Sequence, residues 1–364
     1  MRVLVVNAGS SSVKLRLLDQ QDDLLARADL PAGPDGYDTS ALAEALGGWD
    51  EPDVIGHRIV HGGRAFTGPV RIDDGVREQL QELTDLAPLH QPKSLAALDA
   101  VTAYLPDAPA VACFDTAFHS TIPVAAATYA VPREWRQRYG IRRYGFHGLS
   151  HGYCAHRAAQ LLDRSLDGLR VVTCHLGAGA SLAAVLHGRS MDTTMGFTPL
   201  EGLVMATRSG SVDPGLVLWL EEHEHLSPHE VATALEERSG LTALAGTGDM
   251  REVEAAAAGG DEDACLAIEV YIHRLVGGIA AMSAAIGGLD VLAFTGGVGE
   301  HSPTVRRLAA QKLDFLGVAL DARANEHASG DSDITDADST ASTVVITARE
   351  DLQIAHEVRN LLVP

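Results

Sequence analysis

One strand–turn–strand pattern occurs twice in this chain, and it limits the possible folds more than any other feature. Near the start, the β-branched run Val3 to Val6 and the alternating Val13, Leu15 and Leu17 flank Asn7-Ala8-Gly9-Ser10-Ser11-Ser12. Farther on, VVTCHLGAGASLAAVLHG repeats the arrangement, with a Gly-rich turn from Gly177 to Ser181 between two apolar strands. Gly9 and Gly177 hold matching places. Two copies of one supersecondary unit predict duplicated domains of similar fold. The small residues at each tip expose backbone N–H groups, and Ser10 and Ser12 add hydroxyls, so the first tip can hold phosphate oxygens. It is not a Walker loop, which needs G-x-x-x-x-G-K-[ST] and a following helix.

At 364 residues the chain exceeds what one core usually organises, which fits two domains. Its net charge of −21 argues against nucleic-acid partners and anionic membrane surfaces. An anionic ligand would need local positive charge, and Arg must supply most of it, because Lys14, Lys93 and Lys312 are the only lysines. Lys14 stands just past the first tip. Cys113, Cys154, Cys174 and Cys265 show no CxxC spacing and read as reduced packing residues of a cytoplasmic protein. The first apolar run reads as a strand, not a signal peptide. The uncharged stretch Leu275 to Leu289 is too short to span a bilayer and reads as a buried helix.

VIGHRIVHGG reads as a strand that carries His57 and Arg58 and ends on a glycine pair. His57 and His61 have the i, i+4 spacing of helical metal ligands, but the β-branched residues and glycines favour a strand. Arg58 can take a carboxylate or phosphate bidentately, or form a structural ion pair. REQLQELTDLAP reads as a helix ended by Pro88, and His90 lies between two prolines. AVACFDT sets Asp115 at the C-terminal end of a parallel-type strand, where ligands collect in open α/β sheets. There it can orient an arginine, hold a metal-bound water, accept a proton or cap the next turn. RRYGFHGLSHGY (142–153) is the densest polar–aromatic cluster and reads as a functional loop, with Gly145 and Gly148 bracketing His147.

Past the second hairpin, the turn-rich MDTTMGFTPLEGLVMATRSGSVDPG presents Arg208 from a small-residue loop suited to a mobile anion clamp. HEHLSPHE reads as an exposed helix junction, not a metal site. SGLTALAGTGDMRE sets Asp249 and Arg251 after a Gly-Thr-Gly turn. VLAFTGGVGEHSPTVRRLAA reads as a strand, a glycine turn and a helix that starts at Ser302 with Pro303 first, an arrangement suited to nucleotide phosphates. Residues 321–343 read as a solvated loop, and Glu350 lies between the closing strand VVIT and the last helix.

In this order, VNAGSSSVK, GHRIVHGG, LAPLHQP, FDTAFH, RRYGFHGLSH, HLGAGAS, MGFTPLEGLVMATRSGSVDPG, FTGGVGE and the AREDL junction resemble the acetate kinase family from Arg2 nearly to the last residue. RRYGFHGLSH and MGFTPLEG together are close to diagnostic. The resemblance implies an α/β fold of two duplicated RNase H-like domains, of the actin, Hsp70 and sugar-kinase type, around a central interdomain cleft. The N-terminal domain would comprise 1–118 plus 350–364. The C-terminal domain, 119–349, would carry the nucleotide site and a dimer surface. The implied activity is reversible transfer of the ATP γ-phosphoryl group to acetate, giving acetyl phosphate and ADP, with propionate or another short acyl acid as the alternative acceptor. The implied setting is a cytoplasmic homodimer using Mg²⁺ or Mn²⁺.

Residue by residue, the resemblance gives Asn7 and Glu350 to the metal and Lys14, with Ser10 and Ser12, to nucleotide phosphate. Arg58 would bind the carboxylate substrate, Asp115 would serve catalysis, and His147 and Arg208 would serve the transition state. His175, Leu176, Gly177, Ala178 and Gly179 would hold the nucleotide, as would Asp249, Met250 and Arg251, and Gly297, Val298, Gly299, Glu300 and His301. Val60, Leu89, Phe146 and Pro199 would line the methyl pocket, with His90 nearby. The chain departs from the family at Ala178, where Asn is usual, and at Met250, where Phe is usual, so adenine stacking is expected to weaken. Gln91 replaces Asn, and the region before Arg58 is short.

The acceptor itself limits the chemistry. Acetate, with a pKa near that of Glu, about 4.3, is ionised at pH 7 and needs no general base. Asp115 is therefore expected to orient an arginine or a Mg²⁺-bound water. A chaperone of this fold would need an appended peptide-binding domain for which no residues remain, and a metal hydrolase would need paired ligand spacing that these histidines lack.

Overall fold

The predicted hairpins form, and each opens a sheet. In the computed structural model, which describes residues 1–9, 12–33, 36–37, 39–87 and 91–362, β1 (Val3–Ala8) and β2 (Ser12–Leu18) pair antiparallel. Val3 lies opposite Leu18 and Asn7 opposite Lys14, and the Gly9 N–H donates to Ser12 O at 2.8 Å. With β3 (Leu24–Gly33), β4 (Gly36–Tyr37), β5 (Val54–Ile59), β6 (Val70–Arg71) and β7 (Ala110–Phe114), the sheet order is β4-β3-β2-β1-β5-β7-β6. β1, β5 and β7 run parallel.

The second sheet repeats that plan. β8 (Arg170–Leu176), β9 (Ala180–Leu186), β10 (Arg189–Thr193), β11 (Val291–Thr295), β12 (Ser332–Asp333) and β13 (Ser342–Val345) are ordered β10-β9-β8-β11-β13-β12. β8, β11 and β13 run parallel. In each sheet an antiparallel meander of three strands continues into two further parallel ones, which is the duplication that the two glycine tips predict.

The chain divides into two compact units, Met1–Ser120 with Phe146–Tyr153 and Arg349–Pro364, and Thr121–Gly145 with Cys154–Ala348. The piece Phe146–Tyr153 thus groups with the first unit, inside a range that the sequence assigns to a continuous 119–349. The cause is packing, because Leu149 joins the core of Val3, Val5, Val54, Val111 and Cys113. The helix Glu350–Leu362 covers that same face with Ile354, Ala355 and Val358. Gly56 lets it approach, since a Cβ there would stand 2.6 Å from Ile354 Cγ2 and 2.9 Å from Val358 Cγ2. Leu4, Val6, Leu15, Leu17 and Ile55 point to the other face, under Leu42, Ala97 and Val101.

In the second unit, the helix Glu262–Ala285 is long and apolar enough to cross a membrane by length and composition, with 33% of its apolar window buried. Its buried residues, among them Ala264, Ala267, Tyr271, Leu275, Ile279 and Met282, recur at three- and four-residue spacing, as on an amphipathic core helix. Two sequence readings change here. Residues 321–343 are not a plain solvated loop, because Asn325 is buried against Arg306 (2.7 Å) and Asp331 pairs with Arg157 (2.5 Å). The glycine turn after β11 is itself helical, Gly296–His301, and Ser302 then caps Pro303–Ala310.

His57 is fully buried, with no hydrogen-bond partner at Nε2 among the described residues, and burial pulls its pKa down to about 4 against a weaker upward pull from Asp99. A base held neutral stabilises the fold above its unfolded pKa of 6.5, and that stability drains as pH falls from 6.5 toward 4. By pH 5 the loss should reach about 2 kcal/mol from this group. Thermal melts from pH 7.5 to 5 should therefore slope downward, and His57→Leu should make the slope shallower, the remainder coming from His61, which burial also pulls down to about 4; an unchanged slope would exclude His57 as a source. Gly56→Ala should cost about 1–3 kcal/mol in the same melts through overpacking.

Candidate active site

Alternation along three neighbouring strands builds the site in the first unit. On β1 the row Val3, Val5 continues to Asn7; on β5 the row Val54, Gly56 continues to Arg58; beside them Val111 and Cys113 of β7 lead to Asp115. Three apolar rows on one face therefore end together in three polar side chains, at the C-terminal edge of parallel strands. Arg58 forks onto Asp115, with Nε donating to Oδ1 at 2.9 Å and Nη2 to Oδ2 at 2.6 Å. Its Nη1 donates to Asn7 Oδ1 at 3.0 Å, while Asn7 Nδ2 donates to Glu350 Oε2 at 2.7 Å. Glu350 also stands 4.0 Å from Arg58. Burial raises the pKa of Asp115, Arg58 opposes it, and Glu350 adds a smaller upward push. Lys14, opposite Asn7 across the hairpin, is exposed on the same side of the ladder.

His147 joins this cluster through its backbone. It adopts φ +57, a left-handed conformation that strains a non-glycine residue. Its carbonyl accepts from His151 N–H (2.9 Å), the preceding Phe146 carbonyl faces His119 Nε2 (3.0 Å), and the following Gly148 N–H donates to Asp115 O (2.8 Å). A Cβ on Gly148 would collide with Asp115 O. The cluster expected as one loop is thus half helix, because Gly148 opens the helix Gly148–Leu161.

Val60 and Phe146, expected at the methyl pocket, are both buried, and the Phe146 ring meets His61 edge-on at 5.5 Å. Gln91, which stands where Asn is usual, has a structural task of its own. Its amide donates to His61 O and Leu80 O and accepts from His61 N, so it fixes both main-chain groups of His61. Ser10, Leu89 and His90 lie outside the described residues. Ser12 is the first residue of β2.

In the second unit the residues expected at the nucleotide gather around the β8–β9 tip. Gly177 N–H donates to Gly179 O (2.9 Å), and a Cβ on Gly177 would lie 3.9 Å from Gly297 N and from His175 Nε2. Gly296, at φ +80, sits so close to Leu176 that a Cβ would meet its carbonyl at 2.8 Å, while the space beside Gly297 is open. Ala206 N–H donates to Ala178 O (3.0 Å), and Gly248 packs against Ala206. Three of these residues differ in detail from the sequence expectation. Arg208 does not sit on a mobile loop, since Ser209 N–H donates to Leu235 O, Ser239 N–H to Thr207 O and Leu241 N–H to Met205 O. Met250 is buried at the start of the helix Met250–Ala258, so its side chain packs in the core, in line with the weakened stacking expected there. The side chain of Leu176 is also buried, which leaves its main chain.

Asp249 caps that helix and pairs with the exposed Arg251 at 2.5 Å, an interaction that holds its carboxylate down at about 2. Val298 and His301 lie on Gly296–His301, and Arg306 grips the carbonyls of Gly299 and Glu300 at 2.8 Å each. Burial lowers the pKa of Arg208 and Glu236 pulls it back up. Pro199 lies on a loop tied down by Arg143, which donates to Glu201 Oε1 (2.8 Å), Thr194 O and Met195 O. Tyr129 O–H completes the tie by donating to Glu201 Oε2.

Sequence reasoning missed Gly148, His119 and Tyr129 as supports. Gly56 left a readable trace, a glycine inside a β-branched strand. Gly148 was readable only as a bracket of His147, and His119 and Tyr129 act through contacts remote in sequence and left none.

The Acetokinase family profile matches residues 40–356. The chain is 43% identical to an acetate kinase of Trichormus variabilis, in an alignment of 404 positions that covers 100% of both. Among solved structures it matches the acetate kinase of Porphyromonas gingivalis with a TM-score of 0.91 at 36% identity, covering 99% of each chain. A propionate kinase from Francisella tularensis gives a TM-score of 0.91 at 36% identity, covering 98% of each.

Removing one half of the fork should cost more than removing both. Arg58→Met leaves the Asp115 carboxylate buried without its cation, a loss of about 3 kcal/mol or more. Arg58→Met combined with Asp115→Leu should lose less than Arg58→Met alone in urea titrations. Strict additivity would show that the two side chains are not coupled.

Proposed function

The chain belongs to the acetokinase family, and on that premise we propose that it transfers the γ-phosphoryl group of ATP to acetate, reversibly forming acetyl phosphate and ADP. The observation that carries this reading is the buried fork of Arg58 on Asp115 beside Asn7 and Glu350. In the forward direction an acetate oxygen bonds to the γ-phosphorus as the bond to the ADP oxygen breaks. The acceptor arrives ionised, so no proton need be removed. The barrier lies in bringing two anions together and holding charge on the phosphoryl group in flight.

Arg58 supplies fixed positive charge for the carboxylate. Both Asp115 oxygens are engaged on its guanidinium, which suits an orienting role better than a base. Arg208 and His147 are assigned to the transferring phosphoryl group, His147 from a backbone strained into position. In the second unit, the main-chain groups of His175–Gly179 and Gly297–His301, with Asp249 and Arg251, are assigned to ATP, as is Lys14 in the first.

Asn7 and Glu350 would hold Mg²⁺. Both offer hard oxygen donors, and Mg²⁺ carried on nucleotide phosphates takes only one or two protein ligands. Among the described residues no group of three or more His, Cys, Asp or Glu could hold a metal alone. When bound, the ion neutralises charge on the β- and γ-phosphates.

Propionate is the second acceptor reading, favoured by the propionate kinase match. A cytoplasmic homodimer is also proposed. Leu216, Leu218 and Trp219 on the helix Pro214–His223, with Val212 just before it, are exposed, an apolar face that suits burial against a second copy. All four cysteines are free thiols, as a reducing compartment requires.

Hydroxamate trapping of acyl phosphate, run with acetate, propionate and butyrate and with ATP, GTP or pyrophosphate, should give most product with acetate and ATP. No acyl hydroxamate with any acceptor would overturn the reading. Arg58→Ala and Arg208→Ala should each lose on the order of a hundredfold in turnover. Asp115→Asn should lower turnover without removing a limb from the pH–rate profile. A lost acidic limb would make Asp115 a base after all.

A further inference from the structure

Glu300 lies among the residues that the family resemblance gives to the nucleotide, yet its side chain is committed elsewhere. Its Oε1 accepts two main-chain N–H groups, from Gly296 at 3.1 Å and from Ala348 at 3.0 Å. Gly296 is the first residue of the glycine-rich helical turn after β11, held at φ +80 against Leu176. Ala348 ends the segment that continues β13, where Ile346 N–H donates to Phe294 O and Thr347 N–H to Asp331 Oδ1. Two residues farther along the chain is Glu350, which meets Asn7 and Arg58.

We infer that Glu300 is a positioning residue, a clasp that fixes the register between the nucleotide-facing turn and the strand end that delivers Glu350. A carboxylate aimed at phosphate would repel it; one spent on two backbone donors instead holds the turn that does the binding. The far end of the turn is fixed independently. Arg306, itself buried, donates to the carbonyls of Gly299 and Glu300 and is held by Asn325. The turn is therefore gripped at both ends, and only the Glu300 grip reaches the segment leading to Glu350.

This inference rests on the acetate-kinase reading, so its test keeps the two apart. Glu300→Ala removes both hydrogen bonds, whereas Glu300→Gln keeps an oxygen that can accept both. Glu300→Ala should raise the KM for MgATP by about tenfold and raise the Mg²⁺ concentration for half-maximal rate. The KM for acetate should stay within about twofold of wild type, and Glu300→Gln should restore most of the nucleotide affinity. A purely architectural role predicts instead a lower active fraction and melting temperature, with each KM unchanged, and that result would overturn the proposal. So would a Glu300→Gln variant as impaired as Glu300→Ala, because the charge itself would then be what acts. If the wild type forms no acyl phosphate, the functional reading is what fails. Calorimetric titration with MgATP alone then tests the clasp, which stands if Glu300→Ala binds more weakly and falls if it binds equally.

Discussion

A guanidinium at the end of an otherwise apolar row is the constraint on which the first unit depends. Arg58 continues the row Val54, Gly56 on a face covered by the helix Glu350–Leu362, and burial of a cation is costly unless a partner meets it. Asp115 meets it from the neighbouring strand with both oxygens, and that fork fixes the plane of the guanidinium. Glu350 brings a second carboxylate close by. Asn7 lets the two coexist, because a side-chain amide can accept from Arg58 and donate to Glu350 at once. An aspartate there would add a third negative charge and lose the donor.

The same logic explains the supports around His147. The side chain of a left-handed, non-glycine residue is held only if its neighbours over-determine the backbone. Here the carbonyl before it, its own carbonyl and the N–H after it are all engaged, by His119, His151 and Asp115. Asp115 therefore works twice. Its carboxylate orients Arg58 and its main chain seats the turn that presents His147.

Much of this was legible in the sequence, for reasons that can be stated. The hairpins are local, alternation fixed which residues of β1, β5 and β7 share a face, and Arg58 and Asp115 stood at strand ends. What stayed hidden was carried by contacts far apart along the chain. Nothing near Asp115 says that Gly148 will dock on its carbonyl, and nothing near Asn325 says that Arg306 will need it, so residues 321–343 looked merely polar. The burial of Met250 was hidden for a different reason. It stands between two charged residues, and the N-cap at Asp249 starts the helix on which Met250 is buried.

On the proposed function, one strand plan serves two kinds of ligand. In the first sheet, the ends of the three central parallel strands carry long polar side chains that converge on a small volume, as a compact carboxylate requires. In the second, the corresponding ends of β8 and β11 run into Gly177, Gly179, Gly296 and Gly297, where the N–H groups of Gly177 and Gly296 are engaged by Gly179 O and Glu300 Oε1 and hold the shape of the turns. A polyphosphate is long and multiply charged, and main-chain N–H groups can meet it at several points along its length. In a chain of net charge −21 with three lysines, that choice has a further effect. On the proposed function, backbone donors would meet phosphate where lysines are few, leaving the arginines for the places where charge must be neutralised.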